Sequence, residues 1–361
     1  MDNRGRQVRR FNRYTLRSCI FVFVALFYIS PVYSAETAKE LSILTWSEYL
    51  SADMVKAFEK KFNVKVKQTF YESDYTRDRI LLETKGLGFD LILVNGITIN
   101  NYRRQGWLQP LPSKAIPNTK YIDKRWLTAF DSAVDYGVPY FWGTLGIAYR
   151  KDLVSKPITS WMDLLKPEKE LQGKILMVLS SRDLIGMGLK ALGYSLNSND
   201  INELNETQSL LMAQKPHVKK FGYLTLEKES GLVTGEIVAA TLYGGDALNV
   251  AEHNENITYV LPEEGGNIWV DYFVLSADSS NTGVATNFLN FINEPKWAAV
   301  NAEELYLATP NIEAMKLLSK EVLEDPVIYP DKSLLNFSEF YAELSPKSSR
   351  KRASIFLHYT K

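Results

Sequence analysis

Residues 41–94 read LSILTWSEYLSADMVKAFEKKFNVKVKQTFYESDYTRDRILLETKGLGFDLILV, and the periods within this stretch decide the fold class. Leu41 to Trp46 is an apolar run of strand length, closed by the loop Ser47-Glu48-Tyr49. From about Ser51 to Phe62 the apolar residues Met54, Val55, Phe58 and Phe62 recur at helical spacing. Val64 to Phe70 then alternates with period two, the pattern of a half-buried strand. A helix over Asp74 to Thr84 and a buried strand over Asp90 to Val94 complete the unit. Strands alternating with helices predict an α/β chain with a parallel sheet flanked by helices. Ligands bind beyond the carboxyl ends of the strands in such sheets, which places Trp46-Ser47-Glu48-Tyr49 and Asn95-Gly96-Ile97 on one rim.

A second α/β stretch starts near Trp142-Gly143-Thr144. It continues through a strand over Ile175 to Ser181, a helix over Leu184 to Leu192 and a strand over Val238 to Tyr243, closed by Gly244-Gly245. A further strand starts near Trp269-Val270-Asp271 and runs on through Tyr272-Phe273-Val274-Leu275. Two crossings, near 142–145 and 270–275, suit a hinged pair of domains, and 361 residues are enough for two cores.

The start of the chain is a separate signal. Arg4, Arg6, Arg9, Arg10, Arg13 and Arg17 against Asp2 give a basic segment, followed by the apolar run Cys19 to Ile29 and the small-residue site Val32-Tyr33-Ser34. That is the layout of a secretory signal spanning 1–34, with cleavage expected after Ser34. A membrane anchor needs about 20 apolar residues, roughly twice this run, so the exported chain is expected in the periplasm and outside the bilayer. Cys19 leaves with the signal, and no other cysteine is left for a disulfide, a thiol nucleophile or a metal site. Beyond Ser34 the count is 36 basic against 41 acidic residues, which favours a small cation over nucleic acid as partner.

Enzyme signatures are missing from the sequence. His217, His253 and His358 lack metal-ligand spacing, and the glycine clusters match neither a dinucleotide fingerprint nor a phosphate-binding lysine loop. The expectation is a protein with no catalytic residues, no metal and no cofactor. Acids and aromatics instead gather after strands: Trp46, Glu48 and Tyr49; Asp183; Tyr243; Trp269 and Asp271. A carboxylate with an aromatic face holds an ammonium through charged hydrogen bonds and cation–π attraction. Alternation along a strand sends Trp269 and Asp271 to one face.

At these residues the chain resembles the periplasmic spermidine/putrescine-binding proteins, a type II periplasmic binding protein family. The resemblance rests on Leu44-Thr45-Trp46-Ser47-Glu48-Tyr49, Tyr71-Glu72-Ser73, Val138-Pro139-Tyr140-Phe141-Trp142-Gly143, Thr159-Ser160-Trp161-Met162-Asp163-Leu164, Leu192-Gly193-Tyr194-Ser195, Pro262-Glu263-Glu264-Gly265-Gly266 and Ala308-Thr309-Pro310-Asn311. It implies two α/β lobes, each a mainly parallel sheet, closing over a polyamine without catalysis. The lobes would be 35–143 with 272–311, and 144–271 with 312–361.

Carried onto this chain, the resemblance makes Trp46 a stacking residue, Ser47, Glu48 and Tyr49 its loop partners, and Trp269 and Asp271 the central-amine pair. Asp183 stands where the family has a terminal-amine glutamate, and Tyr243 replaces a tryptophan. Ser180 replaces a second carboxylate, Asn95 a serine, Ile97 a tyrosine and Leu307 a tyrosine, with Tyr306 adjacent. Tyr341 falls where a polar side chain would reach the ligand. These departures point to the norspermidine-sensor branch, whose members signal to an inner-membrane cyclic di-GMP enzyme controlling biofilm. The family default is delivery of spermidine or putrescine to an ABC permease.

Overall fold

The computed structural model describes residues 39–361, so the export signal expected over 1–34 lies outside the described residues. The opening βαβαβ pattern forms as β1 (Lys39–Trp46), α1 (Ala52–Phe62), β2 (Val64–Tyr71), α2 (Asp74–Thr84) and β3 (Leu91–Asn95). Local chemistry sets the limits of α1. Ser51 Oγ accepts the N–H of Met54 at 3.2 Å, and Asn63 ends the helix at φ +50°. The helix then buries Met54, Val55 and Phe58, with the Phe58 ring 5.0 Å from Phe288. Fully burying one such phenyl ring contributes about 1.5–3 kcal/mol.

β1 runs parallel to both β2 and β3, as the pattern requires. Beyond them, β4 (Gly137–Arg150) and β9 (Ile268–Leu275) are antiparallel and pair from Gly137 with Val274 to Thr144 with Ile268. From Leu145 onward β4 pairs instead with β7 (Ala239–Tyr243) and β8 (Ile257–Val260). β5 (Ile175–Met177) joins β7 and β6 (Val218–Phe221) in parallel. The strand order β2-β1-β3-β9-β4-β7-β5-β6 is therefore one mixed, curled sheet in which β4 belongs to both halves. Each half keeps a parallel set, as expected. Of the antiparallel strands, β4 alone carries the chain from one half to the other.

Two apolar cores follow this division, one containing Leu41, Phe58, Phe141 and Trp142, the other Leu145, Trp161, Ile175 and Leu184. Along β4 the packing passes from the first core to the second at 144–145. The return falls at 261–267 rather than 270–275, because β9 lies wholly against β3 and β4. Val322, Ile328 and Leu335 pack into the first core, whereas Ile355 and Tyr359 of the last helix join the second. The chain thus crosses a third time between Leu335 and Ile355, so only the later part of 312–361 packs with the second core. No helix among the described residues is long and apolar enough to cross a membrane.

Candidate functional site

The site is assembled where strands hand over to helices. Asn95 ends β3 and caps α3 (Gly96–Arg104); Ser180 caps α4 (Ser181–Ala191); Tyr243 ends β7 and precedes α5 (Gly244–Ala251). Helix N-termini carry positive potential, which is hostile to a cation unless acids offset it. Asp74, Asp183 and Asp246 stand in the first turns of α2, α4 and α5.

At one end is Asp271, only 7% exposed. In β9 it lies opposite Asn95 of β3 on one side and Phe141 of β4 on the other. The Tyr49 hydroxyl donates to its Oδ2 at 3.0 Å, and the Tyr49 carbonyl is itself fixed by the Tyr140 hydroxyl at 2.7 Å. Burial, and then the negative charge of Asp74, pushes the Asp271 carboxyl up to about 7, while the Tyr49 hydrogen bond and the Arg77 guanidinium oppose the rise. Trp46 packs on Tyr71 with ring centres 4.5 Å apart.

At the other end Asp183 is buried, and burial raises its carboxyl above the usual range against hydrogen bonds from Ser180, Tyr341 and Tyr243. The Tyr243 hydroxyl donates to Oδ2 at 3.0 Å and the Tyr341 hydroxyl to Oδ1. The backbone N–H of Asp183 donates to Ser180 Oγ at 3.3 Å. Tyr243 meets Trp269 edge to face, centres 6.5 Å apart at 88°. Trp269 and Asp271, two residues apart on one strand, share a face about 6.7 Å apart along it. An aromatic path therefore joins the two carboxylates, from Asp183 through Tyr243 and Trp269 to Asp271 and Tyr49.

Not every expected residue joins this network. Ser47 and Glu48 are exposed at the loop tip, Glu48 at φ +53°, and neither side chain hydrogen bonds to a described residue. Asn95 spends its Oδ1 on the N–H of Ile97 at 3.3 Å, so its side chain serves α3. Tyr306 is 40% exposed and ends a helix at φ +51°, whereas Leu307 reaches toward Gly245 at the start of α5.

Four residues near the site were not foreseen. Asp246, one helical turn beyond Tyr243, has its carboxyl pushed up to about 6 by burial. Its signal was the position itself, three residues after Tyr243 in the first turn of a helix. Tyr223 lies within electrostatic reach of Asp183, Asp74 and Asp246, and partial burial followed by those charges raises its hydroxyl. No sequence pattern marks it. Asp74 and Arg77 form an ion pair at 2.6 Å, and the buried Arg77 also donates to the Tyr102 hydroxyl at 2.8 Å and sits 5.5 Å over the Tyr71 ring. Spacing of three on α2 was the readable sign of that pair.

The arrangement can hold positive charge: two buried anions already hydrogen bonded by tyrosines, separated by aromatic surface. No group of His, Cys, Asp and Glu among the described residues is placed to hold a metal ion. Residues 53–328 match the model of a family described as bacterial extracellular solute-binding protein. The norspermidine sensor of Vibrio cholerae serotype O1 is 31% identical over 340 residues, 94% of this chain and 93% of that protein. The spermidine/putrescine-binding periplasmic protein of Escherichia coli K12 is 31% identical over 317 residues, 87% of this chain and 90% of that one. Among solved structures, the spermidine/putrescine ABC transporter substrate-binding protein of Streptococcus pneumoniae superposes with a TM-score of 0.80 at 30% identity, over 89% of this chain and 98% of that chain.

Proposed function

The chain belongs to the bacterial extracellular solute-binding proteins, and from that premise we propose that it is a periplasmic polyamine-binding protein whose cleft holds a linear triamine. The observation that carries this reading is the pair of buried carboxylates, Asp271 and Asp183, joined by the aromatic path through Trp269 and Tyr243. A buried carboxylate pushed up to about 7 is a charge in want of a partner, and an ammonium supplies it. Methylene spacers then pack on the rings. In this reading Asp271 takes the central amine, with Tyr49, Trp46 and Trp269 around it. Asp183, with Tyr243, Tyr341 and Ser180, takes one terminal amine, and Glu48 lies toward the far end. Asp246 adds negative charge beside Tyr243. The protein binds and does not catalyse.

Two lobes, divided at the β4 and 261–267 crossings, close on the ligand because it contacts both. The closed surface then docks on a membrane partner. Similarity to the norspermidine sensor along 94% of the chain supports a sensing role, and the output proposed for it is relay to an inner-membrane cyclic di-GMP enzyme controlling biofilm. Similarity to the E. coli and S. pneumoniae proteins supports the second reading, supply of an ABC permease.

Ser180 separates the ligand choices. Its hydroxyl caps α4 beside Asp183, and aspartate is an equally good cap, so Ser180→Asp adds negative charge without loss of the helix. Competition between norspermidine and spermidine, followed by tryptophan fluorescence, is expected to show norspermidine bound at least as well by the wild type and a shift toward spermidine in Ser180→Asp. A wild-type preference for spermidine that Ser180→Asp leaves unchanged removes the sensor reading. In cells, deleting the gene is expected to alter biofilm with polyamine uptake intact, and lost uptake selects import.

A further inference from the structure

Asn267 lies between the two halves of the sheet, immediately before β9, and its side chain is 5% exposed. Its backbone is in use, since the carbonyl accepts the Leu145 N–H at 3.1 Å, but the buried Oδ1 has no hydrogen-bond partner in the protein. An unpaired buried amide oxygen is costly, and such groups are commonly satisfied by ordered water. The same side chain lines a cavity that gives the centre of a water molecule about 10 Å³ of room, about what one water needs.

The other walls of that cavity supply what a water requires. Lys190 is one, and its ammonium donates to the Phe337 carbonyl at 2.7 Å and to Glu339 at 3.2 Å, leaving a third N–H. Tyr341 is another, and its hydroxyl, which donates to Asp183, keeps lone pairs that can accept. We propose that this cavity is a binding site for a single ordered water that accepts from Lys190 and donates to Asn267 Oδ1 and to the Tyr341 hydroxyl. Three hydrogen bonds are the usual complement of a buried water. The water connects the Lys190 cation to Tyr341, making the tyrosine a better donor to Asp183 and so supporting the carboxylate at that end of the cleft.

Gly186, also in the wall, provides the test. A Cβ built there lies 3.4 Å from Leu196 Cβ and 3.7 Å from the Tyr341 hydroxyl oxygen, in ordinary contact, so Gly186→Ala fills the cavity without a clash. If the cavity is dry, alanine in mid-helix stabilises through helix propensity and filled space. If the water is there, the methyl expels it and strands the Asn267 amide. High-resolution crystallography of the wild type is expected to show a water within hydrogen-bond distance of Asn267 and Tyr341, absent in Gly186→Ala. The melting temperature of Gly186→Ala is expected to fall by about 2 °C or more. In an Asn267→Ala background, where no amide is left to strand, the same substitution is expected to raise the melting temperature. A dry wild-type cavity, a Gly186→Ala protein that melts above wild type, or an equal loss in both backgrounds overturns the proposal. None of these measurements involves a polyamine, so they stand or fall apart from the ligand assignment.

Discussion

At the scale of one residue, the proposed binding function rests most on Asp271. It is 7% exposed, takes one hydrogen bond from Tyr49 and has its carboxyl pushed up to about 7, because burial and the Asp74 charge outweigh the help from Tyr49 and Arg77. Asp271→Asn keeps the shape and removes the charge. Charged hydrogen bonds lost from a buried pair cost about 2–4 kcal/mol, so triamine affinity is expected to fall about 30- to 1000-fold. The melting temperature measured without polyamine is expected not to fall, since a buried charge has been removed; equal affinities for the two folded proteins would remove Asp271 from the site. The same residue sets a pH dependence. Folding raises its carboxyl from 3.8 to about 7, so the folded chain holds a proton between those values that the unfolded chain has released. Its contribution to stability is full below 3.8 and is lost as pH rises through about 7. Triamine binding needs the anion and follows the opposite course, with affinity rising about tenfold per pH unit between about pH 5 and 7 and levelling above. Titrations across that range check it, and a flat profile would contradict it. At this scale the sequence was partly readable. Trp269 and Asp271 follow from strand alternation, but Asn95 and Ser180 turn their side-chain oxygens to helix caps. Asp246 went unread, because its place in a first turn depends on α5 beginning at Gly244.

The elements were more readable than the residues, because periodicity survives without knowledge of neighbours. α2 is observed over the expected residues, and α1 and β2 lie within a residue of theirs. What could not be read was β4 as one 14-residue strand, buried throughout and interrupted in sequence by Pro139, Gly143 and Gly146. Its pairing changes partner midway, and such long-range pairing leaves no local period. Gly143 has a definite reason to be glycine. A Cβ there would lie 2.5 Å from the Trp269 ring, so the missing side chain lets the indole lie against β4. Gly143→Ala is expected to displace Trp269 and weaken triamine binding about tenfold, the scale of one cation–π contact. Circular dichroism should show the fold retained, and unchanged affinity would mean that Trp269 does not touch the ligand.

For the molecule as a whole, two cores are joined through β4 and the later crossings, and the proposed function has them open and shut about those connections. A ligand bridging Asp271, in the half containing β3, and Asp183, at the start of α4 in the other half, favours the closed form by its contacts to both. Small-angle scattering is expected to show a smaller radius of gyration with triamine for the wild type and no change for Asp271→Asn at the same concentration. An unchanged radius for the wild type would contradict closure. The excess of five acids beyond Ser34 agrees with a cationic ligand at this scale without locating it. The central claim, that the cleft takes a linear triamine, is tested most directly by calorimetric titration of the protein lacking residues 1–34 with norspermidine, spermidine, an amino acid and a sugar. The account predicts one triamine bound per chain and no heat of binding from the amino acid or the sugar; binding of the amino acid or the sugar alone would contradict it.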